Sequence, residues 1–435
     1  MEILFSLSIA LFAGLMLSRL AKLVNLPAVT AYLVAGVLIG PFCLGAFGVE
    51  GLGFTHFDID NSVFSIISDV ALGFIAFAIG NEFRLSQLKS IGKSATIIGI
   101  LQAVITTLVV DLALVTLSLF NVISLPVAII LGAVASATAP AATLMVVRQY
   151  KAKGPVTDTL LPVVALDDAV GLVLFSISFG IAKGMMTSGS ANIVSIIVEP
   201  LIEVVLSIAL GAGIGYAFTF FERFFHSRSK RLAMSVAFVL VTVAVSMLKF
   251  EVAGIHIAFS PLLACMMLGT IFCNICDFSE GLMDRLDRWT APIFILFFVL
   301  SGADLNLSIF SNVTTVVVGL VYIVTRCIGK YYGAGLSAKL AKAPANVKKY
   351  LGITLFPQAG VALGMGIKVM QYCNGFSDQA INDVGRIVYN IILFSVLIYE
   401  LIGPLLTKIA LTKAGEIDPE GKVSARKKHA EPSAK

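Results

Sequence analysis

Long apolar runs recur along almost the whole chain and decide what it can fold into. A window of about 19 residues finds about thirteen of them, roughly at 3–20, 27–44, 62–80, 94–120, 124–148, 159–182, 193–222, 231–248, 253–274, 290–303, 312–338, 348–371 and 385–411. Only 13% of the residues are charged, against about 25% in a soluble domain, which excludes a soluble globular protein. Because an apolar run of this length crosses a bilayer as a helix, the sequence predicts an all-α polytopic membrane protein.

The basic residues are distributed unequally between alternate loops. Most of the 31 Lys and Arg residues fall on one side of the predicted membrane, and the other side has only Lys183, Lys249, Lys368 and Arg386. The positive-inside rule then places the N-terminus outside the cell membrane and the C-terminus in the cytoplasm. Since the basic residues lie in short loops between spans, the net charge of +5 does not indicate a nucleic-acid partner. The partner predicted from composition is the lipid bilayer.

Two adjacent carboxylates, Asp167 and Asp168, lie inside the sixth apolar run. An Asp at the bilayer centre costs about 2.5–3.5 kcal/mol on insertion scales, and such residues normally face a bundle interior or a water-filled path. A position at the lipid headgroups is the alternative, but the nearer end of the run lies about two helical turns away. The pair is therefore predicted to be a cation and proton site inside the membrane.

A short internal repeat indicates how the spans are arranged. Residues 80–86 (GNEFRLS) end the third run, and residues 302–308 (GADLNLS) end the tenth. Spans that are seven apart cross the membrane in opposite directions, which is the pattern of an inverted repeat. Spans 1–6 are then predicted to match spans 8–13, with the seventh span as a linker.

The fifth and twelfth runs correspond in that repeat, and each contains a proline, Pro140 or Pro357. A proline inside a helix removes a backbone hydrogen bond. A simple kink is the alternative, but paired interruptions in matching positions favour two broken, crossing helices at a midplane binding site. Freed carbonyl groups and the hydroxyl groups of Ser136 or Thr138 could then bind a hard cation, which prefers oxygen ligands.

The eleventh run contains two cations one helical turn apart, Arg326 and Lys330. Both lie deep enough to need partners, and we predict an ion pair between Lys330 and Asp167 or Asp168, with Arg326 as the second candidate for the cation. Snorkelling of Lys330 to the cytoplasmic interface is the alternative, because the run ends near Ser337.

Proton and metal ion are expected to compete for this site. Desolvation favours the neutral form of a carboxyl group, a nearby cation favours the charged form, and adjacent carboxyl groups titrate together. Such a site can hold protons or a monovalent cation but not both, so exposure to each side in turn couples their exchange. A Lys whose ion pair forms only in the absence of the cation could release a proton on binding.

Five other polar residues lie in or near apolar runs, namely Asp69, Asp111, Lys249, His256 and Glu400. The two aspartates are predicted to be packing or funnel residues, and the histidine an interior one without a relay role. The CxxC motif at 273–276 has no second pair and no histidine nearby, so we expect it to fill apolar space and we expect no cofactor.

Residues 26–41 (LPAVTAYLVAGVLIGP) are similar to the opening signature of the monovalent cation:proton antiporters. Thr138, the Asp167–Asp168 pair and Lys330 resemble the two-aspartate sodium/proton branch of that superfamily, the NhaA/NapA type. The resemblance covers about residues 1–411. It implies that Asp168 is the principal cation ligand and proton carrier, that Asp167 pairs with Lys330, and that Thr138 adds a ligand.

The same resemblance implies a homodimer with a mobile core. The dimerisation domain would comprise residues 1–84 and 229–308, the core transport domain residues 85–183 and 309–411, and a linker helix residues 184–228. Residues 412–435 are expected to form a disordered cytoplasmic tail because they are polar.

The function predicted from the sequence is secondary active antiport, in which Na⁺ or Li⁺ exchanges for H⁺ by alternating access at the Asp pair. The protein is expected not to be an enzyme. A K⁺/H⁺ antiporter of the same fold is the first alternative. A cation channel or a membrane-embedded sensor is the alternative from another class.

Overall fold

The computed structural model describes most of the chain. The described residues are 2–23, 28–47, 62–81, 83–139, 143, 146–147, 150–187, 199–248, 250–252, 255–257, 259–276, 278–305 and 313–417. Nearly all of them are helical, as the length of the apolar runs predicts.

The described part of the chain contains fourteen α-helices. In chain order they are α1 (Glu2–Leu23), α2 (Ala28–Ile39), α3 (Ser62–Asn81), α4 (Leu85–Leu119), α5 (Leu125–Val134), α6 (Pro155–Thr187), α7 (Glu199–Glu222), α8 (Arg228–Ser246), α9 (Pro261–Ile275), α10 (Ser279–Ala303), α11 (Val313–Leu340), α12 (Ala345–Thr354), α13 (Gly360–Cys373) and α14 (Gln379–Lys413). A single 3₁₀ turn, Leu44–Phe47, follows α2, and two short strands, β1 (Phe250–Val252) and β2 (Ile255–Ile257), pair antiparallel before α9.

The fold is that of an all-α polytopic membrane protein. Within the described ranges, nine helices are long and apolar enough to cross a membrane by length and composition. The fifth and twelfth spans are each interrupted, α5 after ten residues and the twelfth between α12 and α13. The prediction of a helical bundle with two broken helices in matching positions is confirmed.

The helices pack in two groups. In the first group α2 packs against α1 and α10, and α9 packs against α3 and α7. In the second group α4 packs against α5, α6 and α11, while α14 packs against α12 and α13. The second group contains both interrupted spans and the helix with the Asp pair.

Several boundaries differ from those expected; α4 begins at Leu85 rather than near residue 94, and α10 begins at Ser279 rather than near residue 290. The ninth span begins at Pro261 rather than near residue 253, because β1 (Phe250–Val252) and β2 (Ile255–Ile257) precede it and Ser260 caps the helix by accepting from the Leu263 amide. The tail predicted to be disordered from residue 412 is ordered as far as 417, since α14 continues to Lys413 and Glu416 is buried. The rest of the predicted tail lies outside the described residues.

Candidate functional site

Two helix interruptions form the frame of the candidate site. Helix α5 ends at Val134, and the residues up to Ala139 continue without helical structure; α12 ends at Thr354, and α13 begins at Gly360. Pro140, from which the first interruption was predicted, lies outside the described residues. A helix that stops inside a membrane leaves carbonyl and amide groups that need other partners.

The two interruptions contact one another directly. The Ala139 amide donates to the Pro357 carbonyl over 2.9 Å, and the Gln358 side-chain amide donates to the Val134 carbonyl over 2.9 Å. These bonds satisfy groups that the helix breaks expose, and they fix the two breaks relative to each other.

Arg326 binds the carbonyl groups of both breaks. Its guanidinium donates to the carbonyl oxygens of Ala135 (2.9 Å), Ala137 (2.7 Å) and Phe356 (2.6 Å), and it lies over the Tyr399 ring at 4.6 Å. The side chain is fully buried. Arg326, the second candidate for the ion pair with the aspartates, therefore compensates the ends of the broken helices, where helix dipoles and free carbonyls concentrate negative potential.

Asp167 and Asp168 face the breaks from α6 and are almost completely buried, with 0% and 2% exposure. Thr138 in the first break contacts both: its hydroxyl donates to Asp167 Oδ2 over 2.7 Å and its amide donates to Asp168 Oδ1 over 3.2 Å. A glycine one turn farther along α6 permits this approach, since a Cβ on Gly171 would lie 2.8 Å from Ser136 Oγ. The three residues predicted to bind the cation are thus brought together.

Lys330 forms an ion pair with Asp167. Its Nζ lies 2.7 Å from Asp167 Oδ2, and both side chains have 0% exposure. The ammonium group also donates to Thr138 Oγ1 (2.8 Å) and to the Ser136 carbonyl. Lys330 therefore does not snorkel to an interface, because the acceptors that hold it are in the interior.

Gln102 on α4 was not identified from the sequence, although it bridges the ion pair. Its Nε2 donates to Asp167 Oδ2 over 2.7 Å, and its Oε1 accepts from Lys330 Nζ over 3.2 Å. One amide side chain thus contacts both charges. The available signal was a polar residue inside the fourth apolar run, which alone does not indicate a partner.

One carboxylate oxygen at the site is unused. Asp167 Oδ1 is buried and has no hydrogen-bond partner among the described residues. A buried acceptor of this kind is costly unless something binds it. A proton, a water or a hard cation could occupy this position, and hydroxyl and carboxylate oxygens are suitable ligands for such a cation.

The C-terminal end of the described chain holds the aspartate helix in place. Glu416 accepts from the amides of Val156 (2.6 Å) and Thr157 (2.8 Å), and from the Thr157 hydroxyl (2.8 Å). A carboxylate at a helix N-terminus is favoured by the dipole and by the free amides there. Helix α6 is therefore connected to the segment that follows α14.

The other polar residues singled out in the sequence lie elsewhere. Asp69 on α3 pairs with Lys368 on α13, whose Nζ is 2.6 Å from Asp69 Oδ1, so this aspartate has a partner that the sequence did not indicate. Asp111 Oδ1 is buried against α5 without a hydrogen-bond partner among the described residues. Lys249 and the side chain of His256 lie outside the described residues.

Comparison with known families gives one match over nearly the whole chain. The sequence profile described as "Sodium/hydrogen exchanger, transmembrane" matches residues 7–413. This range contains all the candidate site residues.

Individual relatives are more distant. The chain is 25% identical over 200 residues to the "Ammonium/H(+) antiporter subunit AmhT" of Alkalihalophilus pseudofirmus, and the match spans 46% of this chain and 46% of that protein, less than half of its length. Two structures of the sodium proton antiporter MjNhaP1 from Methanocaldococcus jannaschii share the fold. The first, determined at pH 8, has a TM-score of 0.72 at 20% identity and covers 94% of this chain and 100% of that chain. The second, from an electron-microscopy map, has a TM-score of 0.65 at 19% identity and covers 95% and 98%.

Proposed function

The chain belongs to the sodium/hydrogen exchanger family of cation/proton antiporters, and we propose that it exchanges Na⁺ for H⁺ at the Asp167–Asp168 pair. We assign it to the two-aspartate branch, with Asp168 as the principal cation ligand and proton carrier and with Thr138 as a further ligand. The transported cation is a substrate of this site.

One observation carries the proposal: two buried carboxylates meet a single threonine at the contact between two broken helices. Thr138 binds both aspartates, and Asp167 retains a buried oxygen without a partner among the described residues. A buried carboxylate oxygen without a hydrogen-bond partner is costly unless something binds it. The pocket therefore favours binding a positive charge, supplied by a proton or a monovalent cation.

The ion pair supports a mechanism of competition. Lys330 already neutralises Asp167, so one of the two carboxylates has a resident counter-charge. A cation entering the pocket would compete with the ammonium group for Asp167 and with the proton for Asp168. Binding of the cation would then displace a proton, and binding of protons would release the cation.

Alternating access requires one part of the protein to move relative to another. The packing supports a core of residues 85–183 and 309–411, because α4, α5, α6 and α11 contact one another around the site. Residues 1–84 and 229–308 would form the fixed dimerisation domain, with residues 184–228 as linker. The core would carry Asp168 across the membrane in an elevator-like motion, with the N-terminus outside the cell membrane and the C-terminus in the cytoplasm.

A second subunit would cover part of the first helix group. Several large apolar side chains of α1 are strongly exposed, such as Leu4 (73%) and Phe12 (66%), and these would contact lipid or the equivalent helices of a homodimer. The choice among cations rests on the ligand distances in the loaded site. Na⁺ or Li⁺ is proposed because small hard cations suit carboxylate and hydroxyl oxygens, and K⁺ is the alternative substrate of the same fold.

The test uses purified protein in liposomes with an imposed pH gradient. Addition of Na⁺ is expected to collapse the gradient in wild type, and Asp168→Asn is expected to abolish the collapse because the neutral amide cannot exchange a proton. Asp158→Asn is the matched control, since that residue is exposed on the same helix. Wild-type rates in Asp168→Asn would refute the assignment.

The same assay identifies the substrate and separates the rival functions. A series of Na⁺, Li⁺, K⁺ and NH₄⁺, with the membrane potential clamped or free, shows which cation is exchanged and whether charge moves. Cation flux without proton movement would indicate a channel.

A further inference from the structure

The structure contains a second buried carboxyl group that the proposed mechanism does not use. Glu400 on α14 is 1% exposed, and Thr30 on α2 is 1% exposed. The Thr30 hydroxyl oxygen lies 3.4 Å from Glu400 Oε2 and 3.5 Å from the main-chain oxygen of Glu400. This contact joins the two helix groups, because α2 belongs to the first and α14 to the second.

A proline in α14 explains why the main-chain oxygen needs a partner. Pro404 lies inside the helix, four residues after Glu400, and a proline has no N–H to donate to the preceding turn. The carbonyl of Glu400 therefore lacks its helical hydrogen bond. The Thr30 hydroxyl is placed to supply it.

The hydrogen count at this contact indicates the protonation state of the carboxyl group. A threonine hydroxyl has one hydrogen and can also accept. If that hydrogen goes to the Glu400 carbonyl, the contact to Oε2 is a hydrogen bond only when the carboxyl group carries a proton and donates it to Thr30. A protonated Glu400 satisfies both contacts together.

The charge environment agrees with this assignment. The ion pairs among the described residues involve other carboxylates, namely those of Glu203, Glu222, Asp167 and Asp69. Glu400 Oε1 has no hydrogen-bond partner in the described part of the chain. A buried carboxylate without a counter-ion neutralises by taking up a proton.

The titratable groups on the helices packed against α14 are engaged elsewhere or absent. The described part of α2 has one, Tyr32, and α5 has none. On α11 they are Arg326, which binds carbonyls of the breaks, Lys330 in the candidate site, Cys327 near Tyr399, Tyr322 bonded to Gln358, Tyr331 and Tyr332 against each other, and the exposed Lys339. On α6 they are Asp167 and Asp168 in the candidate site, Lys183 paired with Glu203, and the exposed Asp158. On α12 they are the exposed Lys348 and Lys349 and Tyr350 against Lys349, and on α13 they are Lys368 paired with Asp69, Tyr372 against Phe179, and the buried Cys373.

We propose that Glu400, together with Thr30, forms a second proton-binding site at the contact between α2 and α14, separate from the Asp167–Asp168 pair. The proton is held while the two helices are in contact. If the contact opens, the carboxyl group loses Thr30 and can release the proton to water. The site thus couples protonation to the contact between the proposed core and the proposed dimerisation domain.

Infrared difference spectroscopy on the reconstituted protein tests this directly, because a protonated carboxyl group has its own carbonyl stretching band. Wild type is expected to show a band at neutral pH that disappears at alkaline pH and is absent from Glu400→Gln. Glu203→Gln is the matched control, since Glu203 is paired with Lys183 at 2.8 Å, and it is expected to retain the band. A spectrum of Glu400→Gln that retains the full carbonyl band of wild type would overturn the proposal, whereas a residual component that Asp168→Asn removes belongs to the Asp pair.

Two further variants keep the test decisive. Thr30→Val removes the hydrogen-bond partner and is expected to shift the band, whereas Thr30→Ser is expected to leave it in place; an unshifted band in Thr30→Val contradicts the site. Asp168→Asn is expected to retain the band. Loss of transport in Asp168→Asn reports on the proposed antiport alone, so the two proposals can fail separately.

Thermal unfolding gives an independent readout. A folded state that holds a proton which the unfolded state gives up loses stability as the pH rises. Between about pH 5, above which the unfolded chain has given up the proton, and the alkaline pH at which the infrared band disappears, the melting temperature of wild type is therefore expected to fall more steeply than that of Glu400→Gln, by the equivalent of one titrating group. Parallel curves for the two proteins would contradict the proposal.

Discussion

Removal of Lys330 should destabilise the protein strongly, and in a way that depends on pH. The Lys330 Nζ and Asp167 Oδ2 atoms are 2.7 Å apart, and neither side chain has any exposed surface. Lys330→Met keeps an unbranched side chain of similar length but leaves Asp167, among the described residues, with the neutral donors of Gln102 and Thr138, each at 2.7 Å. The variant must therefore bury an unpaired negative charge or neutralise it.

Two estimates of the loss in the free energy of unfolding of Lys330→Met give similar values. Breaking a buried ion pair by deleting one partner costs about 3–5 kcal/mol. Alternatively, Asp167 takes up a proton when the variant folds. An aspartate with the ordinary pKa of about 3.9 is ionised at pH 7, and protonating it there costs about 4 kcal/mol, at about 1.36 kcal/mol per pH unit above the pKa. We therefore expect a loss of about 3–4 kcal/mol in the free energy of unfolding near pH 7.

The pH dependence identifies the cause of the loss. The folded variant binds a proton at Asp167 that the unfolded chain releases above about pH 4. Its deficit relative to wild type should therefore shrink as the pH falls, by about 1.36 kcal/mol per pH unit. The assay is thermal or denaturant unfolding of the purified protein at several pH values between 5 and 8.

A control and a double variant complete the test. Lys339→Met removes an exposed cation from the same helix and should change stability little. Adding Asp167→Asn to Lys330→Met should restore part of the stability, because no unpaired charge remains. If Lys330→Met is as stable as Lys339→Met at pH 8, or if its deficit does not change with pH, the reasoning about the buried pair is refuted.

Two other substitutions have clear expectations. Gln102→Leu removes both contacts of the amide with the ion pair and should lower the free energy of unfolding by about 2–3 kcal/mol, since hydrogen bonds to charged groups contribute about 1.5–3 kcal/mol each and are not additive. Thermal unfolding measures the loss of stability, and the Na⁺ dependence of transport measures the effect on the site. An unchanged melting temperature would exclude the bridging role. Gly36→Ala places a Cβ against the Val299 carbonyl oxygen of α10 and should lower the free energy of unfolding by about 1–3 kcal/mol through overpacking. Gly213→Ala on α7 is the control, because a Cβ there meets nothing within 4 Å. Equal melting temperatures for the two variants would contradict the close packing of α2 on α10.

Much of the site could be predicted because charge inside a membrane is costly. Asp167 and Asp168 stand out in an apolar run, so their burial follows from the energetics of insertion. Lys330 is detectable for the same reason and is buried beside Asp167. Paired interruptions in the fifth and twelfth spans indicated broken helices, and both are present at α5 and between α12 and α13.

The rest depends on contacts between residues far apart in sequence. Gln102 meets Asp167 across 65 positions and Lys330 across 228, and Lys368 meets Asp69 across 299. A neutral amide costs less to bury than a charge, so one sequence gives no reason to select it. These residues become recognisable only when the helices are assembled.

Helix boundaries were predicted less well where local polarity was misleading. The segment after Leu411 reads as a polar tail, yet Glu416 is held by the first turn of α6 through the amides of Val156 and Thr157. Tertiary hydrogen bonds, among them those to free helix amides, order residues that composition alone would leave disordered.

In the proposed mechanism a proton and a metal ion cannot occupy the Asp167–Asp168 pocket together. The most direct measurement is the apparent KM for Na⁺ in liposomes as a function of pH, with the membrane potential clamped. If one proton must leave for one cation to bind, KM should rise about tenfold for each unit by which the pH is lowered in the acidic limb, while the maximal rate stays constant. A KM that does not change with pH, or a fall in maximal rate alone, would contradict competition for a single site.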